Sequence, residues 1–170
     1  YRDGEVVGRI GAILSYKANE KWHTNRMRFS QVDFIDDPAV SAALFAAVES
    51  WAAEKGCDQI HGPLGFCDMD REGMLVEGFD RRSMFITYYN HPYYNEHLER
   101  LGYRKDTDGV EFYIQAPTPD SPQGVKLHRI AEHVLRSRKL HIANVRHQGQ
   151  YPPLVEQVFR LVNEAYSPLY

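Results

Sequence analysis

The stretch NHPYYNEHLERLGYRK, residues 90–105, decides the fold of this chain. Pro92 stands in a first turn, where a helix tolerates proline, and Gly102 stands where a left-handed residue commonly ends a helix. Tyr94 and Leu98 lie one helical turn apart, so they share a face of the predicted helix. The stretch therefore predicts a short amphipathic helix that stops at a glycine and leads directly into the next element.

Strands are predicted on both sides of this helix. Residues 103–114 are rich in Tyr, Val, Phe and Ile, so we predict a long strand there. Residues 5–16 (EVVGRIGAILSY) and 27–35 (MRFSQVDFI) show the same preference. The polar residues 18–26 between them predict a hairpin connection, and we expect these two strands to pair antiparallel.

A longer helix is predicted over residues 39–55, entered through Asp36-Asp37-Pro38 and ended by Gly56. Four apolar residues form its stripe at helical spacing: Val40, Leu44, Val48 and Trp51. A short strand is predicted over residues 58–61. The following residues 64–89 show little periodicity, and a loop of that length inside a compact domain is usually functional or locally folded.

The composition of PTPDSPQG, residues 117–124, is typical of a linker. We therefore expect a first domain of residues 1–116 and a second, smaller unit of residues 117–170. Three elements are predicted in the second unit: a helix over residues 125–138, a strand over 140–146 and a helix over 152–166.

The composition excludes several classes of partner. A net charge of -3 and a pI near 6.2 provide no basic field, so we expect no nucleic-acid binding. No apolar run approaches the length of a membrane span, so we expect no membrane partner. Cys57 and Cys67 have no second pair, which argues against a disulfide framework or zinc site and favours the reducing cytoplasm.

Motifs of several enzyme classes are missing from the sequence. The eight histidines show no metal-binding spacing, so no metal is predicted. There is no Gly-x-Ser-x-Gly elbow, Walker loop or dinucleotide fingerprint. The sequence therefore does not support a hydrolase, kinase or dehydrogenase.

Three strings, GPLGF (62–66), DREGMLVEGFD (70–80) and YYNHPYY (88–94), together with the element order from Glu5 to Ile114, resemble the GNAT superfamily. These are the acetyl-CoA-dependent N-acetyltransferases, and the strings look like a bacterial branch of largely unassigned substrate. The resemblance implies an α+β (α/β layered) fold with a mixed central sheet flanked by helices. It also implies acyl transfer from acetyl-CoA or another acyl-CoA to a small-molecule amine.

In that family the CoA diphosphate binds backbone amides at a helix start, which here corresponds to Ala39, Val40 and Ser41. Asp36 and Asp37 precede these residues, and two carboxylates oppose a diphosphate by like-charge repulsion. The alternative is that both acids only cap the helix and favour its positive dipole end.

The resemblance also suggests a tyrosine as the acid that protonates the departing thiolate. The family position four residues before the glycine is Leu98 here, so Tyr94, one turn upstream on the same face, is our candidate catalytic residue. The alternative is that Tyr94 belongs to the core and places only its hydroxyl at the edge.

The long loop supplies candidate substrate-binding residues, since its glycines indicate tight turns or close backbone approach. Asp70, Arg71, Glu72 and Asn90 could line a pocket that opens onto the split of the sheet. The alternative for Arg71 is a surface pairing with its acidic neighbours.

Two functional hypotheses remain open. The first is an N-acyltransferase, using CoA or another thioester carrier, and the second is a non-catalytic GNAT-fold module that binds a ligand or partner. The resemblance implies that a GNAT fold opens with a strand and a helix, which this chain lacks before Glu5. Residues 117–170 are therefore expected to complete the fold or to begin a second GNAT-like half. Exchange of this segment between two chains would give a homodimer. A chain that starts without methionine suggests a fragment.

Overall fold

The computed structural model describes residues 1–67 and 69–167, so residues 168–170 of the predicted second unit lie outside the described part. The chain divides into two compact units, Tyr1–Gly109 and Val110–Tyr170. The described residues contain three strands, five α-helices and one 3-10 turn. The predicted mixture of helices and strands, an α+β composition, is therefore confirmed.

The sheet of the first unit has three strands in the order β1 (Gly8–Ile13), β2 (Arg26–Phe34) and β3 (Gln59–His61). Strands β1 and β2 pair antiparallel, as predicted. Strand β3 pairs parallel to β2, so the small sheet is mixed.

A β-bulge interrupts the pairing of β1 with β2. The register passes from Arg9 opposite Asp33 to Gly11 opposite Ser30, which leaves one extra residue on β2. Gln31, within this step, has a positive φ of 47°. Bulges bend a strand and re-aim the side chains that follow, which here include Asp33.

The connection between β1 and β2 is a helix, α1 (Tyr16–Trp22), so the prediction of a hairpin was wrong. The Ser15 side chain accepts a hydrogen bond from the Ala18 amide and caps the helix start. His23 ends the helix in the left-handed conformation. Because Ala, Lys and Glu favour helices, this capped polar segment forms a helix rather than an open turn.

The predicted long helix is confirmed as α2 (Pro38–Glu54), with proline in its first turn. It packs on the sheet, and its Phe45 ring meets Phe29 of β2 edge-to-face at 5.1 Å between ring centroids. Tyr103 lies tilted against the same Phe45 ring at 5.0 Å. These aromatic contacts form the centre of the core.

The helix in the opening stretch is confirmed as α3 (Tyr93–Arg100), and Gly102 has the expected left-handed conformation with φ of 89°. The buried face of α3 is centred on Tyr94 and His97. Leu98 is only partly buried against the core, so the apolar stripe is rotated from the predicted one.

The prediction of a strand over residues 103–114 was wrong, because residues 104–117 form no regular element. The side chains of Phe112, Tyr113 and Ile114 are exposed. A strand-favouring composition becomes a strand only where a neighbouring backbone pairs with it, and no described strand pairs with these residues.

The second unit contains α4 (Pro122–Ser137), a 3-10 turn (Gln148–Gln150) and α5 (Pro152–Ala165). Both helices are close to the predicted bounds. The predicted strand over residues 140–146 was wrong, for the same lack of a pairing strand in the described residues. Whether residues 117–170 complete the first fold or begin a second GNAT-like half stays a prediction.

Candidate functional site

One face of α3 bonds to the end of β2 and to the start of α2. The Tyr93 hydroxyl donates to the Phe34 carbonyl at 2.6 Å. Tyr94 and His97 make the other two connections. Polar bonds between buried elements fix their relative position, because breaking one leaves a desolvated polar group without a partner.

The Tyr94 hydroxyl is bonded on both sides. It accepts a hydrogen bond from the Phe34 amide at 3.1 Å and donates one to Oδ1 of Asp33. The Tyr94 ring is buried and stacks on the Phe34 ring at 4.3 Å. Burial, followed by the bond to the Asp33 carboxylate, raises the pKa of Tyr94 above its ordinary value.

Asp33 connects this buried hydroxyl to the solvent, since the residue itself is exposed. The Tyr94 hydroxyl therefore donates its hydrogen bond to the side chain of an exposed residue. The predicted role of Tyr94 as the catalytic acid stays a prediction, and this geometry puts an exposed carboxylate beside it.

The third connection, through His97, consists of three polar side chains. Nε2 of His97 lies 2.9 Å from Oδ1 of Asp36, and Nδ1 of His97 lies 2.7 Å from the Ser41 hydroxyl. His97 is 2% exposed and Ser41 is 1% exposed, whereas the Asp36 side chain is 65% exposed. These three side chains thus connect Asp36 at the surface, through His97, to Ser41 on the buried face of α2.

The Ser41 proton has two acceptors within reach, His97 Nδ1 at 2.7 Å and the Pro38 carbonyl at 3.2 Å. If the Ser41 hydroxyl donates its hydrogen bond to Nδ1 of His97, the histidine donates through Nε2 to Asp36. If the hydroxyl donates to the Pro38 carbonyl, both histidine nitrogens donate. Serine, histidine and a carboxylate also form hydrolase triads, but an attacking serine must reach its substrate and Ser41 is enclosed. The arrangement bonds α3 to α2 instead.

The residues predicted to bind CoA lie at the start of α2, where their amides already have acceptors. The Ala39 amide donates to the Asp37 carboxylate at 2.8 Å, and the Val40 and Ser41 amides donate to the Asp37 carbonyl at 3.0 and 3.2 Å. Pro38 has no amide hydrogen. As it stands, this helix start does not fit a diphosphate.

Asp37 is therefore the cap of α2, as the alternative interpretation proposed. Arg2 Nη1 lies 2.8 Å from its carboxylate. The bond from Arg2, together with the one from Ala39, lowers the pKa of Asp37. Asp36 is not a second cap, because its carboxylate bonds to His97.

Asn90 follows the long loop and bonds to Leu75 within it. It is buried, its Oδ1 accepts from the Leu75 amide at 2.6 Å, and its Nδ2 donates to the Leu75 carbonyl at 3.2 Å. Nearby, the Arg71 guanidinium lies over the Tyr88 ring at 5.8 Å. Asn90 and Arg71 thus both connect residues 71–75 of the loop with residues 88–90.

The Asp70 side chain stabilises a separate turn. Its carboxylate accepts from the Phe66 amide at 2.7 Å and the Cys67 amide at 3.3 Å. Arg28 of β2 anchors this turn through a bond to the Gly65 carbonyl at 2.8 Å. Glu72 is exposed. Contact of Asp70, Arg71, Glu72 and Asn90 with a substrate stays a prediction.

Asp33 and His97 were not predicted from the sequence. A signal for His97 was present, since it follows Tyr94 by three residues and shares its face. Nothing local marks Asp33, because its role depends on the bulge at Gln31 and on α3, far along the chain. His61 pairs with Asp106 at 3.0 Å, and burial lowers its pKa.

No family model matches the chain, and no solved structure matches it. Over 112 residues, 66% of the chain, it is 37% identical to Protein YghO of Escherichia coli (strain K12). Over 124 residues, 72% of the chain, it is 32% identical to a protein named bacterial ceramide synthase from Caulobacter vibrioides (strain NA1000 / CB15N). The chain covers 29% and 32% of these proteins, so it spans about a third of the length of the curated relatives it matches.

Within the described part of the chain, no helix is both long enough and apolar enough to cross a membrane.

Proposed function

We propose that this chain takes part in N-acyl transfer from a thioester to the amino group of a long-chain amino alcohol. The similarity to a bacterial ceramide synthase carries the proposal. A ceramide is the amide of a fatty acid with a long-chain amino alcohol, so its synthesis joins an amine to an activated acyl group. The GNAT resemblance of the sequence supports the same class of reaction and a GNAT-type layering of the fold.

The proposed reaction forms one bond and breaks another at the thioester carbonyl. The amine nitrogen attacks the carbonyl carbon, and the nitrogen becomes positive as the C–N bond forms. It then loses a proton, the C–S bond breaks, and the departing thiolate takes up a proton. A carboxylate at the surface is suited to accept the first of these protons.

We assign that role to Asp33. The residue is exposed, so an amine can approach it, and the Tyr94 hydroxyl holds its carboxylate by a hydrogen bond. Tyr94 in turn is fixed by the Phe34 amide and by stacking. In this assignment Tyr94 positions the base, and its predicted acid role would operate through Asp33.

The carrier of the acyl group is proposed from the resemblance as acetyl-CoA or a longer acyl-CoA. The capped amides of Ala39, Val40 and Ser41 argue against a diphosphate at α2. Asp37→Asn tests this point, because the asparagine oxygen keeps the cap while the negative charge is removed. We expect calorimetry at low salt to give unchanged acyl-CoA affinity, and an increase of about tenfold, or 1.4 kcal/mol, would place the diphosphate at α2.

The experiment that tests the proposed function incubates the chain with a long-chain amino alcohol and either an acyl-CoA or an acyl-carrier protein. Mass spectrometry should detect the amide. Thermal melting with the amine alone is a parallel measurement, since a ligand at about ten times its Kd stabilises the native state by about 1.4 kcal/mol. If neither donor gives amide, the proposal of acyl transfer fails, whether or not the amine raises the melting temperature.

A second candidate is a non-catalytic module with the same fold. The observation in its favour is that both the α2 amides and the Tyr94 hydroxyl are bonded within the chain. This candidate predicts a melting shift with the amine and no amide product with either donor.

A further inference from the structure

Helix α4 of the second unit is amphipathic. Its apolar residues recur at the spacing of one helix face: Leu127, Ile130, Ala131, Val134 and Leu135. Leu127 is 56% exposed, Ile130 50% and Val134 42%, and α4 contains no buried residue. A helix face with this much exposed aliphatic surface is unfavourable in water unless something covers it.

The charges of α4 show what would cover it. Residues 122–139 hold five Lys and Arg residues and one acid, Glu132, although the whole chain has a net charge of -3. Lys126 and Arg129 lie on the polar face, and Arg138 and Lys139 follow the helix end. Glu132 is already engaged by Arg136 and His128, both at 3.3 Å.

We propose that α4 binds the surface of a bilayer that contains anionic lipids. A helix with an aliphatic face and a basic opposite face lies flat in the headgroup region, with its apolar side among the acyl chains. Anionic headgroups complement the basic face. No segment of the chain is long enough to span a membrane, so no membrane partner was expected, but a helix that lies on the surface needs no span.

Helix α5 provides a comparison within the same unit. It is also amphipathic, with exposed Val158 and Leu161. Its charged residues are Glu156, Arg160 and Glu164, so its polar face is not basic. Anionic lipid would therefore select α4 and not α5. This proposal does not depend on acyl transfer, since vesicle binding is measured without any substrate.

Co-sedimentation of the whole chain with vesicles tests the proposal. We expect binding to vesicles of phosphatidylglycerol and phosphatidylcholine, weaker binding to phosphatidylcholine alone, and a decrease with salt. Removing two charges by Lys126→Gln and Arg129→Gln should weaken binding about 25-fold, at about fivefold per charge. Arg81→Gln with Arg82→Gln removes the same charge from the exposed loop of the first unit and should change nothing.

A second pair of variants tests the apolar face. Ile130→Gln with Val134→Gln should abolish binding, whereas Val158→Gln with Leu161→Gln in α5 should leave it unchanged. Circular dichroism of each variant verifies that the helices remain. Equal sedimentation with both vesicle types, no sedimentation with either, or binding to soluble poly-aspartate in preference to vesicles would overturn the proposal.

Discussion

The hydroxyl of Tyr94 donates a hydrogen bond to the carboxylate of Asp33, which lies 61 residues earlier in the chain. Through this bond, α3 holds an exposed acid that follows the bulge in β2. The same hydroxyl accepts from a buried backbone amide, so one side chain both fixes the sheet end and orients a surface carboxylate. The candidate site depends on this pairing.

Tyr94→Phe should destabilise the chain by about 1–3 kcal/mol, because the Phe34 amide loses its hydroxyl acceptor in a buried position. The ring stacking on Phe34 is retained, so the loss isolates the hydroxyl. Urea unfolding measures the difference. Tyr93→Phe, which removes a bond from a less buried ring, should cost about 0.5–1.5 kcal/mol. If Tyr94→Phe unfolds at the same urea concentration as the wild type, the bonds of the Tyr94 hydroxyl do not hold α3 to β2.

The Tyr103 hydroxyl donates a hydrogen bond of 3.0 Å to the Glu49 carboxylate. This bond should make the free energy of unfolding depend on pH in the alkaline range. Burial, and then this bond, raises the pKa of Tyr103 above 10.0. As pH rises past 10.0 the unfolded chain releases this proton first, so stability present below that pH is progressively lost. Tyr103→Phe should therefore lose less stability above pH 10 than the wild type. Tyr113→Phe, at an exposed position, should follow the wild type, and identical curves for all three would contradict the assignment.

The link between α2 and α3 can be tested at Ser41. Ser41→Ala removes the hydroxyl and leaves Nδ1 of the enclosed His97 without this partner, at an expected cost of about 1–3 kcal/mol. Ser50→Ala lies on the exposed face of the same helix and should change the unfolding free energy by less than about 0.5 kcal/mol. Equal effects of the two substitutions would show that His97 does not need Ser41.

The turn closed by Asp70 leaves no room for a side chain at Gly65, where an added Cβ would overlap the Asp70 side chain. Gly65→Ala should open the turn, and hydrogen exchange of the Phe66 and Cys67 amides should accelerate. Gly109→Ala is the control, since an added Cβ there meets nothing within 4 Å. Unchanged exchange in Gly65→Ala would mean that the turn tolerates the shift.

Local signals in the sequence predicted the helices that begin at a proline and end at a glycine. Pro92 and Gly102 delimit α3, and Pro38 with Gly56 delimits α2, because proline and glycine act on the backbone directly. The strand expected over residues 103–114 failed because a strand also needs a partner, which composition does not report. Asp33 could not be predicted, since its position depends on a bulge and on a distant helix.

The most direct test of the central claim is the rate of amide formation by Asp33→Asn with a long-chain amine and an acyl thioester. The asparagine can still accept from Tyr94, so the structure is kept while the base is lost. We predict a kcat at least about 100-fold lower with KM nearly unchanged, since a general base contributes at least about that factor. Glu20→Gln, an exposed acid on α1, should retain the wild-type rate. Wild-type turnover by Asp33→Asn would contradict the account, as would the absence of amide from the unaltered chain with every donor.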